Sequence, residues 1–207
     1  MELKIHLSGS WRIMKRISVV GFGKIGQAVT ANILEHGIFV TAIDINPEIS
    51  QLFSRNQFDT NEPKVKEILI KSFNKGNLEV TCDFKSIKDS QAIIICIPLL
   101  IDDSKNIIKK SFLDCIENIA PYLSNKCLLS TETTLPVGFS RKSILPLIEK
   151  FGKKHDQDFY LIYSPERIKS GTMLQQLSQN LKIIGGVNDK ATKKGVEIYS
   201  WFLILHY

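Results

Sequence analysis

The sequence predicts an α/β protein: a doubly wound, Rossmann-like sheet, mostly parallel, with helices on both faces. Three observations carry that expectation. Short, continuous apolar runs of strand length recur along the chain, as they do in strands covered on both sides. Helical patterns separate them, which is the alternation of a parallel sheet with crossovers. A glycine-rich turn, G-x-G-x-x-G at Gly21, Gly23 and Gly26, joins the first such run to the first helical pattern.

The first 15 residues, MELKIHLSGSWRIMK, are broken by charge and contain no signal-peptide apolar core. Met14 directly precedes KRISVVGFG. Residues 1–13 are therefore expected to be an ill-ordered extension, with a nucleotide-binding domain over 14–190. Apolar runs place strands at 17–20, 39–43, 78–81, 92–97, 126–130, 159–163 and 181–184. Helical patterns cover 25–36, 63–73, 105–120 and 140–151. Residues 191–207 read as the start of a connecting helix. Its last stretch, GVEIYSWFLILHY, is apolar on all sides and needs partners, which suggests a chain cut before its continuation. Trp201, Phe202 and Leu203 are expected to be exposed there.

The glycine turn has the context that makes it a dinucleotide fingerprint. It follows a strand, opens a helix, and is followed by an acid, Asp44, at the end of the second strand. Gly21 permits the tight turn, Gly23 lets backbone approach a pyrophosphate, and Gly26 lets helix pack on strand. The amides around Lys24 and Ile25 sit at the helix N-terminus, where free donors and partial positive charge meet an anion. Asp44 accepts the two adenosine ribose hydroxyls and repels a 2′-phosphate, so the expected cofactor is NAD.

Two further motifs follow strands in the second half. The run at 126–130 leads into STETTLPVG, and the run at 159–163 into SPERIKSG. Both therefore stand at carboxyl ends of strands, the edge where open α/β sheets bind ligands. Glu132 and Thr134 can hydrogen-bond substrate or nicotinamide ribose. Glu166 is placed to act as a base or to hold a water, and Arg167 to meet an anion or a sugar hydroxyl. Read locally, Thr134 is a turn residue and Glu166 with Arg167 a helix-start ion pair.

Composition narrows the classes. The chain has 207 residues, 43% hydrophobic and 23% charged, with net charge +6. The lysines are spread along it with no basic cluster interleaved with aromatics, which argues against nucleic acid as a partner. No apolar run approaches the roughly 20 residues of a membrane span. Cys82, Cys96, Cys115 and Cys127 form no C-x-x-C pair and read as thiols in a reducing cytoplasm. No metal site is expected.

The motifs GFGKIG, AIDIN, NEP, ETTLPVG, SPERIKSG and IIGG follow in the order, and near the spacings, of the UDP-glucose/GDP-mannose dehydrogenase family. Over roughly residues 14–200 the chain resembles that family's N-terminal NAD-binding domain. Its SPER form is more similar to the UDP-N-acetylmannosamine and UDP-N-acetylglucosamine 6-dehydrogenases than to UDP-glucose dehydrogenase. The resemblance implies oxidation of a sugar C6 alcohol to a carboxylate in two hydride transfers, in polysaccharide biosynthesis, by a full-length homodimer in the cytoplasm. It implies NAD held by Gly21, Gly23, Lys24, Ile25, Gly26, Asp44, Pro98 and Thr134. Thr134 would also assist the oxidised oxygen, and Glu166 would activate the water that hydrolyses a thioester. Glu166, Arg167 and Ile168 would contact the UDP-sugar.

Two departures from the family are visible. Leu99 and Leu100 replace the Thr-Pro that usually follows Pro98, removing a hydroxyl near the cofactor. None of the four cysteines has the setting of the family's nucleophile, which lies in a glycine-rich loop of a later domain. The expectation is that this chain alone binds NAD weakly and turns over little or nothing. Two alternatives are a β-hydroxyacid dehydrogenase-like enzyme, against which SPERIKSG speaks, and a non-catalytic NAD-binding module.

Overall fold

A computed structural model describes residues 4–7, 10–13, 15–123 and 126–204. Met14 and the last three residues, on which parts of the terminal expectations rest, lie outside them. In chain order the elements are β1 (Lys4–Leu7), β2 (Ser10–Ile13), β3 (Arg16–Val20), α1 (Lys24–Glu35), β4 (Phe39–Ile43), α2 (Pro47–Ser54), α3 (Pro63–Asn74), β5 (Leu78–Thr81) and β6 (Ala92–Ile95). There follow β7 (Leu100–Ile101), β8 (Ile107–Ile108), α4 (Lys110–Ile119), β9 (Cys127–Thr131), α5 (Leu145–Glu149), β10 (Phe159–Tyr163), α6 (Met173–Gln179), β11 (Gly185–Gly186) and α7 (Asp189–Tyr199).

One seven-stranded sheet runs β11-β10-β9-β6-β3-β4-β5. All its pairings are parallel except β10 with β11. The chain starts in the middle at β3, builds out to β5, then returns across β3 to build the other half. The order reverses between β3 and β6, which opens a crevice at their carboxyl ends.

Side chains alternate across this sheet and feed two cores. On one face Ile17, Val19, Val40, Ala42, Ile94, Leu128 and Ile162 pack with α1, α3, α6 and α7. On the other, Val20, Ile43, Ile93, Ile95, Leu129 and Leu161 pack with α4 and α5. Continuous apolar runs are what a strand buried on both faces requires.

Four local expectations are corrected. Residues 181–184 are not a strand; the pairing partner of β10 is the short β11, just after them. The helix expected over 105–120 begins only at Lys110, because residues 100–108 fold back as the β7–β8 hairpin. Asp102 makes that turn: its side chain accepts the Asn106 amide at 2.7 Å and its own amide reaches the Asn106 carbonyl at 2.9 Å. The helix at 140–151 is split into a wide π turn, Ser140–Ile144, and α5, since Pro146 cannot donate into a regular ladder. The segment after α7 is not exposed: Phe202 is 2% exposed and Asn32 donates to its carbonyl at 2.9 Å. Lys15 lies 4.5 Å from the Trp201 ring centroid.

Residues 4–7 and 10–13, expected within an ill-ordered extension, form the antiparallel pair β1–β2, outside the main sheet. Their polar–apolar alternation, KIHL and SWRI, has the two-residue period of a strand.

Candidate functional site

The strand ends bring the predicted residues onto one edge, and backbone hydrogen bonds carry the sheet's ladder into the loops. Gly21 donates to the Ile43 carbonyl at 2.8 Å, Cys96 to Val20 at 2.8 Å, Glu132 to Ile95 at 2.9 Å, and Ser164 to Thr131 at 2.9 Å. Glu166 donates to the Glu132 carbonyl at 2.9 Å, so the two motif loops are joined directly.

The three glycines of the turn do different things. Gly21 has φ +91°, and a Cβ there would stand 2.6 Å from Ile97 Cγ2. A Cβ on Gly26 would stand 1.9 Å from the Gly21 carbonyl oxygen. A Cβ on Gly23 would meet no protein atom within 4 Å. Gly21 and Gly26 thus serve the fold, while Gly23 faces the open crevice.

The turn fits NAD on three counts. α1 opens at Gly23 with no side-chain cap and no acid in its first turn, so the amides near Lys24 and Ile25 meet no competing protein anion. Lys24 is exposed and Ile25 partly buried. Asp44 Oδ2 accepts the Phe22 amide at 2.7 Å and Oδ1 the Asn46 amide at 3.0 Å, leaving each oxygen a lone pair for a ribose hydroxyl.

Pro98 is exposed just beyond Ile97, at the crevice wall. Leu99 is partly buried, and Leu100 begins the β7–β8 hairpin with 52% of its surface exposed. The Thr133 hydroxyl donates to the Ile97 carbonyl, tying this loop to the one after β9. Thr134 is exposed on the same edge.

Beneath lie buried polar groups, of which Lys182, Tyr199 and Ser130 were not singled out from the sequence. Glu132 was, as a partner for substrate or nicotinamide ribose, but it is 3% exposed and both its carboxylate oxygens are taken by protein groups. Lys182 reaches Glu166 Oε2 at 2.7 Å and also pairs with Glu132 Oε2. Tyr199, on α7, donates to Glu132 Oε1 and shares a 2.7 Å hydrogen bond with Ser130. Burial pushes the Glu132 carboxyl up, against the pull of Lys182. Glu166 is therefore no solvent-facing partner of Arg167. Its Oε1 accepts the Arg167 amide at 2.8 Å, while the Arg167 guanidinium donates to the Leu181 carbonyl at 2.6 Å. Ile168 packs on the first core. Further along, Gly171 donates to Glu62 at the start of α3, so SPERIKSG meets NEP.

Burial disfavours the thiolate at two of the cysteines, Cys96 and Cys115. Cys115 and Cys127 are buried, and burial pushes the Cys115 thiol up to about 12. At Cys96 desolvation, then Glu132, raise the thiol well above its ordinary range. Cys82 follows the edge strand β5, with three strands between it and β9. Among the described residues no cluster of His, Cys, Asp or Glu could hold a metal, and no helix is long and apolar enough to cross a membrane.

Residues 15–203 match the family model for the NAD-binding domain of UDP-glucose/GDP-mannose dehydrogenases. A UDP-N-acetyl-D-mannosamine dehydrogenase of Methanocaldococcus jannaschii is 31% identical over 194 residues, 92% of this chain and 43% of that protein. Its namesake from Pyrococcus horikoshii is 30% identical over 191 residues, 91% of this chain and 45% of that protein. The solved structure of UDP-D-ManNAc dehydrogenase from P. horikoshii superposes with a TM-score of 0.86 at 28% identity, covering 92% of this chain and 46% of that one. The chain spans less than half the length of the relatives it matches.

Proposed function

Since the chain belongs to the UDP-glucose/GDP-mannose dehydrogenase family, as its NAD-binding domain, we propose that it is the cofactor-holding part of a nucleotide-sugar 6-dehydrogenase. The substrate is a UDP-N-acetylhexosamine, UDP-N-acetylmannosamine being the first choice. The C6 alcohol and one water become a carboxylate, two NAD become two NADH, and three protons are released. The observation that carries this is the Glu166–Glu132 backbone bond, which sets both motif loops on the edge that holds the glycine turn.

NAD, when bound, supplies the hydride acceptor. The chain's own residues do the rest. The turn at Gly21, Gly23 and Gly26, with the amides at Lys24 and Ile25, binds the diphosphate. Asp44 accepts the ribose hydroxyls and disfavours a 2′-phosphate. Pro98 and Thr134 would border the nicotinamide end, and the Thr134 hydroxyl would hydrogen-bond the oxygen on the C6 carbon being oxidised. Glu166 takes a proton from the attacking water. Arg167, through its side chain, and Ile168, through its backbone, contact the sugar nucleotide.

A thiol that carries the half-oxidised sugar is not provided by Cys82, Cys96, Cys115 or Cys127. The 207-residue chain accordingly binds its ligands without turning them over. Calorimetric titration with NAD and then with UDP-N-acetylmannosamine tests this. Binding of both supports the reading. A chain that takes NAD and ignores UDP-sugars is an NAD-only module, and steady uronate production by the isolated chain overturns the role given to its cysteines.

A further inference from the structure

We infer that Lys182 is the positioning residue for Glu166, the middle of a three-residue clamp that holds the loop after β10. The inference rests on the proposed role of that loop and adds the element that sets its geometry. Three consecutive residues grip three loop residues. The Leu181 carbonyl accepts the Arg167 guanidinium at 2.6 Å, Lys182 Nζ meets Glu166 Oε2 at 2.7 Å, and the Ile183 carbonyl accepts the Ser164 hydroxyl at 2.8 Å. This explains why the segment is not a strand: its polar groups are spent on the loop instead of on a ladder.

The clamp is anchored from beneath. Lys182 Nζ also meets Glu132 Oε2, and its side chain is 7% exposed, against 1% for Glu132 and 6% for Glu166. A buried ammonium is tolerated only with partners in good geometry, so its position is dictated by both carboxylates. Glu132 is in turn fixed by Tyr199 from α7, whose ring centroid lies 5.5 Å from Nζ, and by its backbone bonds to Ile95 and Glu166. Cys96, just after β6, is a further titratable group that faces this set. Glu166 has three rotatable side-chain bonds. Held at Oε1 by the Arg167 amide and at Oε2 by Lys182, it keeps a single orientation.

The test uses the full chain with Lys182→Met and Lys182→Arg. Should Lys182→Met not fold, the double variant Lys182→Met with Glu132→Gln, which removes the more deeply buried of the two carboxylates left without their ammonium, takes its place. Two readouts are needed: amide hydrogen exchange of residues 163–170 against residues 24–35, and affinities for NAD and UDP-N-acetylmannosamine. The expected result is exchange at least tenfold faster over 163–170 with 24–35 unchanged. UDP-sugar affinity falls at least tenfold, NAD affinity stays within twofold, and Lys182→Arg restores both. Unchanged exchange over 163–170, or exchange accelerated uniformly along the chain, overturns the inference. If the parent chain binds NAD but no UDP-sugar, the proposed role of the loop fails, and the exchange comparison still decides the role of Lys182.

Discussion

The carboxylate of Asp44 and the amide of Phe22 lie 2.7 Å apart, so the acid that ends β4 also closes the glycine turn that ends β3. One side chain thus shapes the turn and presents itself to a ribose. Asp44→Asn keeps an oxygen acceptor for Phe22 but loses the charge. A charge-assisted hydrogen bond is worth about 1.5–3 kcal/mol, so NAD affinity is expected to fall roughly 10- to 100-fold. The melting temperature should move by less than about 2 °C. Titration and thermal unfolding of one preparation check both halves.

Gly23 and Gly26 should separate function from fold. Gly23→Ala adds a methyl where no protein atom lies within 4 Å, so the fold is indifferent and NAD binding drops at least about tenfold. Gly26→Ala drives a methyl to 1.9 Å from the Gly21 carbonyl oxygen. Overpacking of this kind costs about 1–3 kcal/mol, which lowers the melting temperature by several degrees. Equal stability of the two variants would contradict the division of labour.

Much of this was legible in the sequence, and the reasons are local. The strands at 39–43 and 159–163 were read to the residue because a covered strand is a largely apolar run, and that at 78–81, LEVT on the sheet's edge, because its apolar residues alternate with polar ones. α2 escaped the reading although Asn46-Pro47 is an N-cap followed by a proline, and Asn46 does cap it by accepting the Glu48 amide. Residues 181–184 looked like a strand because LKII is nearly all apolar; only the tertiary fold shows Lys182 turned inward. Lys182 and Tyr199 could not be found at all. They meet Glu166 and Glu132 across 16 and 67 residues of sequence, and no motif spans such gaps.

Alkaline pH should weaken the fold. Burial holds the Cys115 thiol at about 12 against an ordinary 9.0, and burial raises Tyr199 as well. At Lys182 burial opposes the charge, but Glu132 and Glu166 overcome it and raise the group above 10.5. All three hold protons more tightly folded than unfolded. Their contributions are complete below the unfolded values and are lost as pH rises through the folded ones. Denaturant midpoints are expected to decline from about pH 9 upward. Cys115→Ala should decline less steeply over pH 9–12.

Thiol labelling gives an independent check on the cysteines. In the native chain at pH 8, Cys82, partly exposed at the sheet's edge, should react with a disulfide reagent first. Cys115 and Cys127 should stay unlabelled until denaturant is added. Rapid labelling of Cys96 would instead mark it as an active thiol and reopen its part in the chemistry.

Calorimetric titration of the chain with NAD and, separately, with NADP decides whether the glycine turn and Asp44 form a dinucleotide site. One NAD per chain is expected, with NADP weaker by at least about tenfold, because Asp44 faces the ribose that would carry the extra phosphate. No heat with NAD, or equal affinity for the two, would contradict that reading.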